Sequence, residues 1–98
     1  MIREIQFFWD AKKAQTNLTK HKISFEEAKS VFADEDARLM HDPDHSQEED
    51  RFILLGLSHT SKILTVVHCY RDDEYNIRII SARKSTKTEQ NQYKEFIL

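Results

Sequence analysis

Three runs rich in β-branched and aromatic residues, RFILLGL (51–57), KILTVVHCY (62–70) and YNIRIISAR (75–83), follow one another with only Ser58–Ser61 and Asp72–Glu74 between them. A parallel pairing needs a crossover of about a dozen residues or more, whereas a short turn suffices for an antiparallel one. The second half of the chain is therefore expected to be a meander of antiparallel strands. With one glycine and one proline in 98 residues, punctuation is scarce elsewhere. Caps and hydrophobic periodicity must place the remaining elements.

Upstream of the meander, residues 2–9 (IREIQFFW) read as an opening strand. Asp10 suits the N-cap of a helix over residues 11–21, with Ala11, Ala14 and Leu18 on its apolar face. Ser24 and Glu27 form a capping box for a second helix, with Ile23 placed to staple against Ala28 and Phe25, Ala28 and Phe32 as its buried stripe. That helix should stop near Ala33 and Asp34. Residues 37–40 form a short strand and residues 41–50 a loop. A second capping box, Thr86 with Glu89, opens a last helix that carries Tyr93, Phe96 and Ile97 on one face. The order is β-α-α-β-β-β-β-α, an α+β fold in which a curved antiparallel sheet is covered by helices on one face. Residues 1–98 have room for one domain and one core.

Composition narrows the function classes. The lone cysteine, Cys69, cannot form an internal disulfide, and its apolar neighbours mark it as a buried thiol rather than a nucleophile. No apolar run approaches the roughly 20 residues that cross a bilayer. The start, MIREIQFFWD, lacks the basic and apolar regions of a signal peptide, so a cytoplasmic protein is expected. Net charge is −2, which disfavours long-range attraction of nucleic acid. The charge is unevenly spread, however. Residues 34–50 carry eight acids and one base, while residues 78–88 hold Arg78, Arg83, Lys84 and Lys87 with no acid before Glu89. A local phosphate site is compatible with that distribution.

Three groups of residues have useful chemistry. Arg71 and Arg83 end successive strands, and a guanidinium binds phosphate bidentately and stays charged at any working pH. In a tight hairpin the two fall at opposite ends, so only a curved sheet would draw them together; the bland alternative is a pair of rim arginines. On the first helix Lys13, Asn17, Lys20 and His21 recur on the side opposite the alanines, either as an ordinary solvated face or as groups for phosphate contact and proton transfer. His41, Asp42, Asp44 and His45 flank Pro43 in a run with metal-ligand side chains, but the spacing matches no established site and a polar surface loop accounts for it better. The acids around that loop suit a cationic partner rather than RNA. Neither a phosphate-binding glycine loop nor a serine elbow is present around Ser81 or elsewhere. Metal-free phosphodiester cleavage, which needs only a few convergent polar groups, survives this elimination.

Three stretches carry a family resemblance: F-x-W-D-x-x-K-x-x-x-N-x-x-K-H-x-x-S-F-E-E-A at Phe7–Ala28, D-P-D-H-S-x-E-E at Asp42–Glu49, and I-R-I-I-S-A-R-K-x-T-K-x-E at Ile77–Glu89. In this order the chain resembles the BrnT family of ribonuclease toxins from about Phe7 to Tyr93. The resemblance implies a RelE-like fold and a cofactor-free endoribonuclease that arrests translation. It further implies neutralisation by a BrnA-like antitoxin in a heterotetramer of two toxins and two antitoxins, with operator DNA reached through the antitoxin. Its two functional arginines fall on Arg83 and Arg71. The matching positions Trp9, Lys13, Lys20, His21, Ser81 and Tyr93 are secondary candidates, and Arg78 joins them as a basic residue of the third motif. Two positions depart from the family pattern: Asp72-Asp73-Glu74 follows Arg71 where relatives often read Gly-Asp or a longer turn, and Lys22 stands where a glycine is usual. The competing reading is a non-catalytic partner-binding module that acts in operon control, and a metal-dependent hydrolase on the His41–His45 run is a third.

Overall fold

The computed structural model describes residues 3–42 and 50–97. Its spine is the expected meander, β3 (Phe52–Leu57), β4 (Ile63–Arg71) and β5 (Asp73–Lys84), to which β2 (Arg38–His41) adds in antiparallel fashion along β3. One pairing differs from the antiparallel pattern. The opening strand, β1, covers only Gln6–Phe8 and runs parallel to β5, with Phe7 opposite Ile77 and Phe8 opposite Arg78. The sheet order is β1-β5-β4-β3-β2. Two helices and three strands separate β1 from β5 along the chain, ample length for the crossover that a parallel pair requires.

Residues directly opposite in an antiparallel ladder share a face of the sheet. Leu54, Val66 and Ala82 are opposite one another and face the helices, as do Leu64 and Ile79. Against them pack Ile23, Phe25, Ala28 and Val31, all at most 2% exposed. The first three surround α2 (Phe25–Ser30), whose N-cap Ser24 accepts the Glu27 N–H; Val31 opens a 3₁₀ turn that follows. The single glycine has a packing reason. A Cβ on Gly56 would lie 2.8 Å from Ala37 Cβ and 2.9 Å from Val31 Cγ1, so β3 approaches its cover only without a side chain there.

The first helix, α1 (Ala11–His21), is capped as expected by Asp10, which accepts the N–H groups of Lys12 and Lys13. Of its expected apolar face only Ala14 packs against the core. Leu18 is 44% exposed and Ala11 is exposed, whereas Asn17 is buried. The cause lies in what α1 packs against. β1 pairs only with residues 76–78 of β5, leaving the edge beyond them open. The Asn17 amide fills it, donating to the Ala82 and Ile23 carbonyls at 2.8 and 2.9 Å and accepting the Ala82 N–H at 3.0 Å. A hydrophobe in that place would leave backbone groups unpaired. After α1 the chain turns through Lys22 at φ 63°, the left-handed conformation that a glycine adopts without cost. The turn usual for a glycine is thus kept with a lysine in it.

The last helix, α3 (Lys87–Ile97), begins with the expected box: Thr86 N–H donates to Glu89, and Glu89 N–H to Thr86 Oγ1. It stands apart from the layer formed by α1 and α2. Thr65 and Arg83 are opposite one another on the other sheet face, and Arg83 reaches out there to Glu89 of α3. At the far end of the core, His68 is fully buried among Phe32, Phe52 and Tyr70, with ring centroids 4.9–6.1 Å apart. Burial pushes its pKa down to about 4. No helix among the described residues is long and apolar enough to cross a membrane.

Two outcomes follow. Asn17→Leu keeps the side-chain size but leaves Ala82 and Ile23 unpaired, and should lower the unfolding free energy by roughly 2–4 kcal/mol in urea titrations; an unchanged midpoint would show that this amide does not hold the edge. The unfolded chain binds a proton at His68 near pH 6.5 and the folded chain only near 4, so stability is full above about 6.5 and falls as pH drops towards 4, by about 3 kcal/mol in total. His68→Phe should flatten that part of a stability–pH curve.

Candidate functional site

Asn17 draws α1 onto β5 at one point, and beside that point a cavity of about 460 Å³ opens between helix and strand. Lys13, Lys20 and His21 line it from the helix and Ile80 and Ser81 from the strand. The register explains why the strand side is shaped here. Ser81 lies opposite Val67, but His68 lies opposite Ile79, so Ile80 is an extra residue that bulges the strand. Four of the secondary candidates, Lys13, Lys20, His21 and Ser81, are thereby brought together. Asp10 also borders the cavity, and its carboxyl is held below the ordinary range by the N–H groups of Lys12 and Lys13, with smaller contributions from the charges of Lys13 and Arg78.

A second concavity, of about 360 Å³, lies further along β5 and is lined by Phe8, Arg71, Asp72, Asn76 and Arg78. Among the described residues neither the Arg71 nor the Arg78 side chain has a hydrogen bond or an ion pair within 4 Å. Their acidic neighbours are partly spoken for. Asp73 accepts the Tyr75 N–H and binds Arg3 at 2.8 Å, which together hold its carboxyl low, and Asp72 alone of the three acids lines the concavity. Arg78 lines the second hollow only, and its charge is the smallest of the influences that lower the Asp10 carboxyl bordering the first.

The remaining candidates stand elsewhere. Arg71 lies opposite Asp73 at the turn and Arg83 opposite Thr65 near the other end of β5, roughly 30 Å away along an extended strand. The two arginines singled out first do not converge. Arg83 is moreover clasped by Glu89 through two hydrogen bonds of 2.8 and 3.0 Å. That pairing raises the Arg83 pKa and takes Glu89 down to about 2. Glu89 thus closes the capping box and neutralises the guanidinium at once. Tyr93 is buried, with its hydroxyl donating to Asp34 at 2.7 Å; burial first, and then that carboxylate, push its pKa up to about 12. Trp9 packs edge-on against Phe25 at 5.9 Å as part of the core margin. Of the His41–His45 run, His41 is exposed at the end of β2, 3.6 Å from Asp50, and Asp42 is buried. Pro43, Asp44 and His45 lie outside the described residues.

Two members of this region carried no signal strong enough to find them. Phe8 sits in an unbroken FFW run, and only the strand's alternation, Phe7 inward and Phe8 outward, separates it from the core. Asn76 is a strand residue whose place beside Arg71 depends on the tight turn between them.

Comparisons with known proteins agree with this architecture. The family model described as ribonuclease toxin, BrnT, of type II toxin-antitoxin system matches residues 9–89. Among solved structures, the crystal structure of the Brucella abortus ribonuclease toxin BrnT is similar to the chain, with 21% sequence identity, a TM-score of 0.62, and coverage of 85% of this chain and 99% of that one. No curated protein sequence matches.

Proposed function

The chain belongs to the BrnT family of ribonuclease toxins of type II toxin–antitoxin systems, and we propose that it cuts RNA along the outer side of β5, where Arg71 and Arg78 bind phosphate and the α1 cavity supplies the proton-transfer groups. The observation that carries this reading is that Arg71 and Arg78, without side-chain hydrogen bonds or ion pairs among the described residues, line one hollow on β5 while Lys13, Lys20, His21 and Ser81 line another. Two guanidinium groups can offset the negative charge that builds on phosphorus as a neighbouring ribose 2′-oxygen attacks. In that step the 2′-oxygen forms a bond to phosphorus and the bond to the 5′-oxygen of the next nucleotide breaks. The proton lost by the first oxygen and the proton gained by the second pass through side chains such as imidazole, which suits both roles near neutral pH. This chemistry is metal-independent, so chelators should leave the activity intact. Arg83 has a supporting part here, since Glu89 already occupies its fork.

In the cell such cleavage would arrest translation. The partner would be a BrnA-like antitoxin that covers the toxin, in an assembly of two copies of each, with the antitoxin making the contact to operator DNA. The surface acids Glu35 and Asp36, with Asp50, suit a cationic partner and not RNA.

The reading is tested by RNA integrity after expression of this chain alone and by cleavage of RNA with the purified chain. Arg71→Ala and Arg78→Ala should each slow cleavage at least tenfold, with urea midpoints little changed because neither side chain makes a hydrogen bond or ion pair among the described residues. Arg83→Ala should lower activity and stability together, because it also releases the β5–α3 contact. Wild-type cleavage by both the Arg71 and Arg78 variants would overturn the assignment, and intact RNA with the parent chain would favour the non-catalytic module.

A further inference from the structure

Phe8 is 48% exposed on the terminal strand of the sheet, while Phe7 beside it packs into the core against Phe32 at 5.1 Å. The ring does not sit on a bare apolar surface. It lines a concavity whose other walls are Arg71 and Arg78, without side-chain hydrogen bonds or ion pairs among the described residues, Asn76, and a single acid, Asp72. At about 360 Å³ the space is at the small end of ligand pockets, the size for one planar group with its attached sugar rather than for a folded partner's helix. An aromatic face beside phosphate-binding forks is the arrangement by which proteins hold unpaired bases: the ring stacks, the cations follow the backbone.

We propose that Phe8 is a stacking platform for one unpaired base of a single-stranded RNA, with Arg78, its neighbour across the β1–β5 pair, and beyond it Arg71 of β4 on the phosphates that lead away from that base. This rests on the RNA-cleaving reading above and adds to it a substrate class. The RNA is single-stranded at this position, because a base held in a duplex cannot offer its face to the ring. Purines are preferred over pyrimidines, because their two rings cover more of the phenyl face. The base is positioned rather than read, since stacking tolerates any sequence.

The probe is a fluorescein-labelled RNA hexamer, 2′-O-methylated throughout so that it cannot be cut, together with copies carrying one abasic site at each position in turn. Binding to the full chain is followed by anisotropy. Phe8→Ala and Phe8→Leu should each weaken the intact hexamer by about 5- to 150-fold, the effect of losing one base–aromatic stack, while Phe8→Trp retains binding. One abasic hexamer should bind the parent chain with the same loss and bind Phe8→Ala no more weakly still, because base and ring are then partners in a single contact. Urea midpoints of the three variants control for folding. Equal binding by Phe8→Ala and the parent overturns the proposal, as does retention by Phe8→Leu, which keeps the bulk without the π face. Loss of antitoxin co-purification in Phe8→Ala with hexamer binding unchanged would assign the ring to a protein interface and also overturn it. A parent chain that binds no hexamer would bring down the RNA-cleaving reading, and this one with it.

Discussion

An asparagine side chain carries the same acceptor and donor as a peptide group, and Asn17 spends both on the free edge of β5. That edge would otherwise be a row of open backbone groups, inviting another strand. β1 covers three residues of it and Asn17 takes over at Ala82, so a helix completes what a strand began. The third bond, to the Ile23 carbonyl, ties the start of the α2 segment to the same amide. The position of α1, the turn through Lys22 and the entry of Ile23 and Phe25 into the core are all referred to one side chain. The cavity beside it exists because α1 is anchored at a point rather than along its length.

Charge on the sheet is arranged by the same local logic. Arg83 and Arg78 are five residues apart on one strand, yet Glu89 claims the first and nothing among the described residues pairs with the second. The acids that follow Arg71 in sequence are less damaging than their number suggests, since Arg3 takes Asp73. A net negative protein can in this way keep a short stretch of positive charge without close ion-pair partners among the described residues, too small to steer a polyanion from a distance.

The meander, the order of the elements, both capping boxes and the Asp10 cap were legible because each depends on neighbours within a few residues. What escaped the sequence depends on contacts that are remote along the chain. The parallel pairing of Phe7 with Ile77 has no local signature, and without it Phe8 reads as one more core aromatic. The burial of Asn17 contradicts helix periodicity because the surface it meets is backbone, which rewards an amide over a leucine. For the site, the basic stripe of Lys13, Lys20 and His21 was visible and is gathered round one cavity. Arg71 and Arg83 were singled out as strand-end arginines and again by the family resemblance; the tight hairpin keeps them apart, as its geometry suggested, and Glu89, six residues past Arg83, occupies one of the two. Tyr93 and Trp9 illustrate the ambiguity of aromatics, which mark cores more often than clefts.

The parallel β1–β5 pair has a bearing on when the molecule becomes dangerous. Phe8 and Arg78 meet across seventy residues of chain, as the helix carrying His21 meets the strand carrying Ser81 across sixty. Long-range pairings of this kind form late, after the loop they close has been made and its entropy cost met. A growing polypeptide that has not yet produced β5 has neither hollow. Both hollows thus come into being only at the last stage, when β5 closes onto β1 and α1.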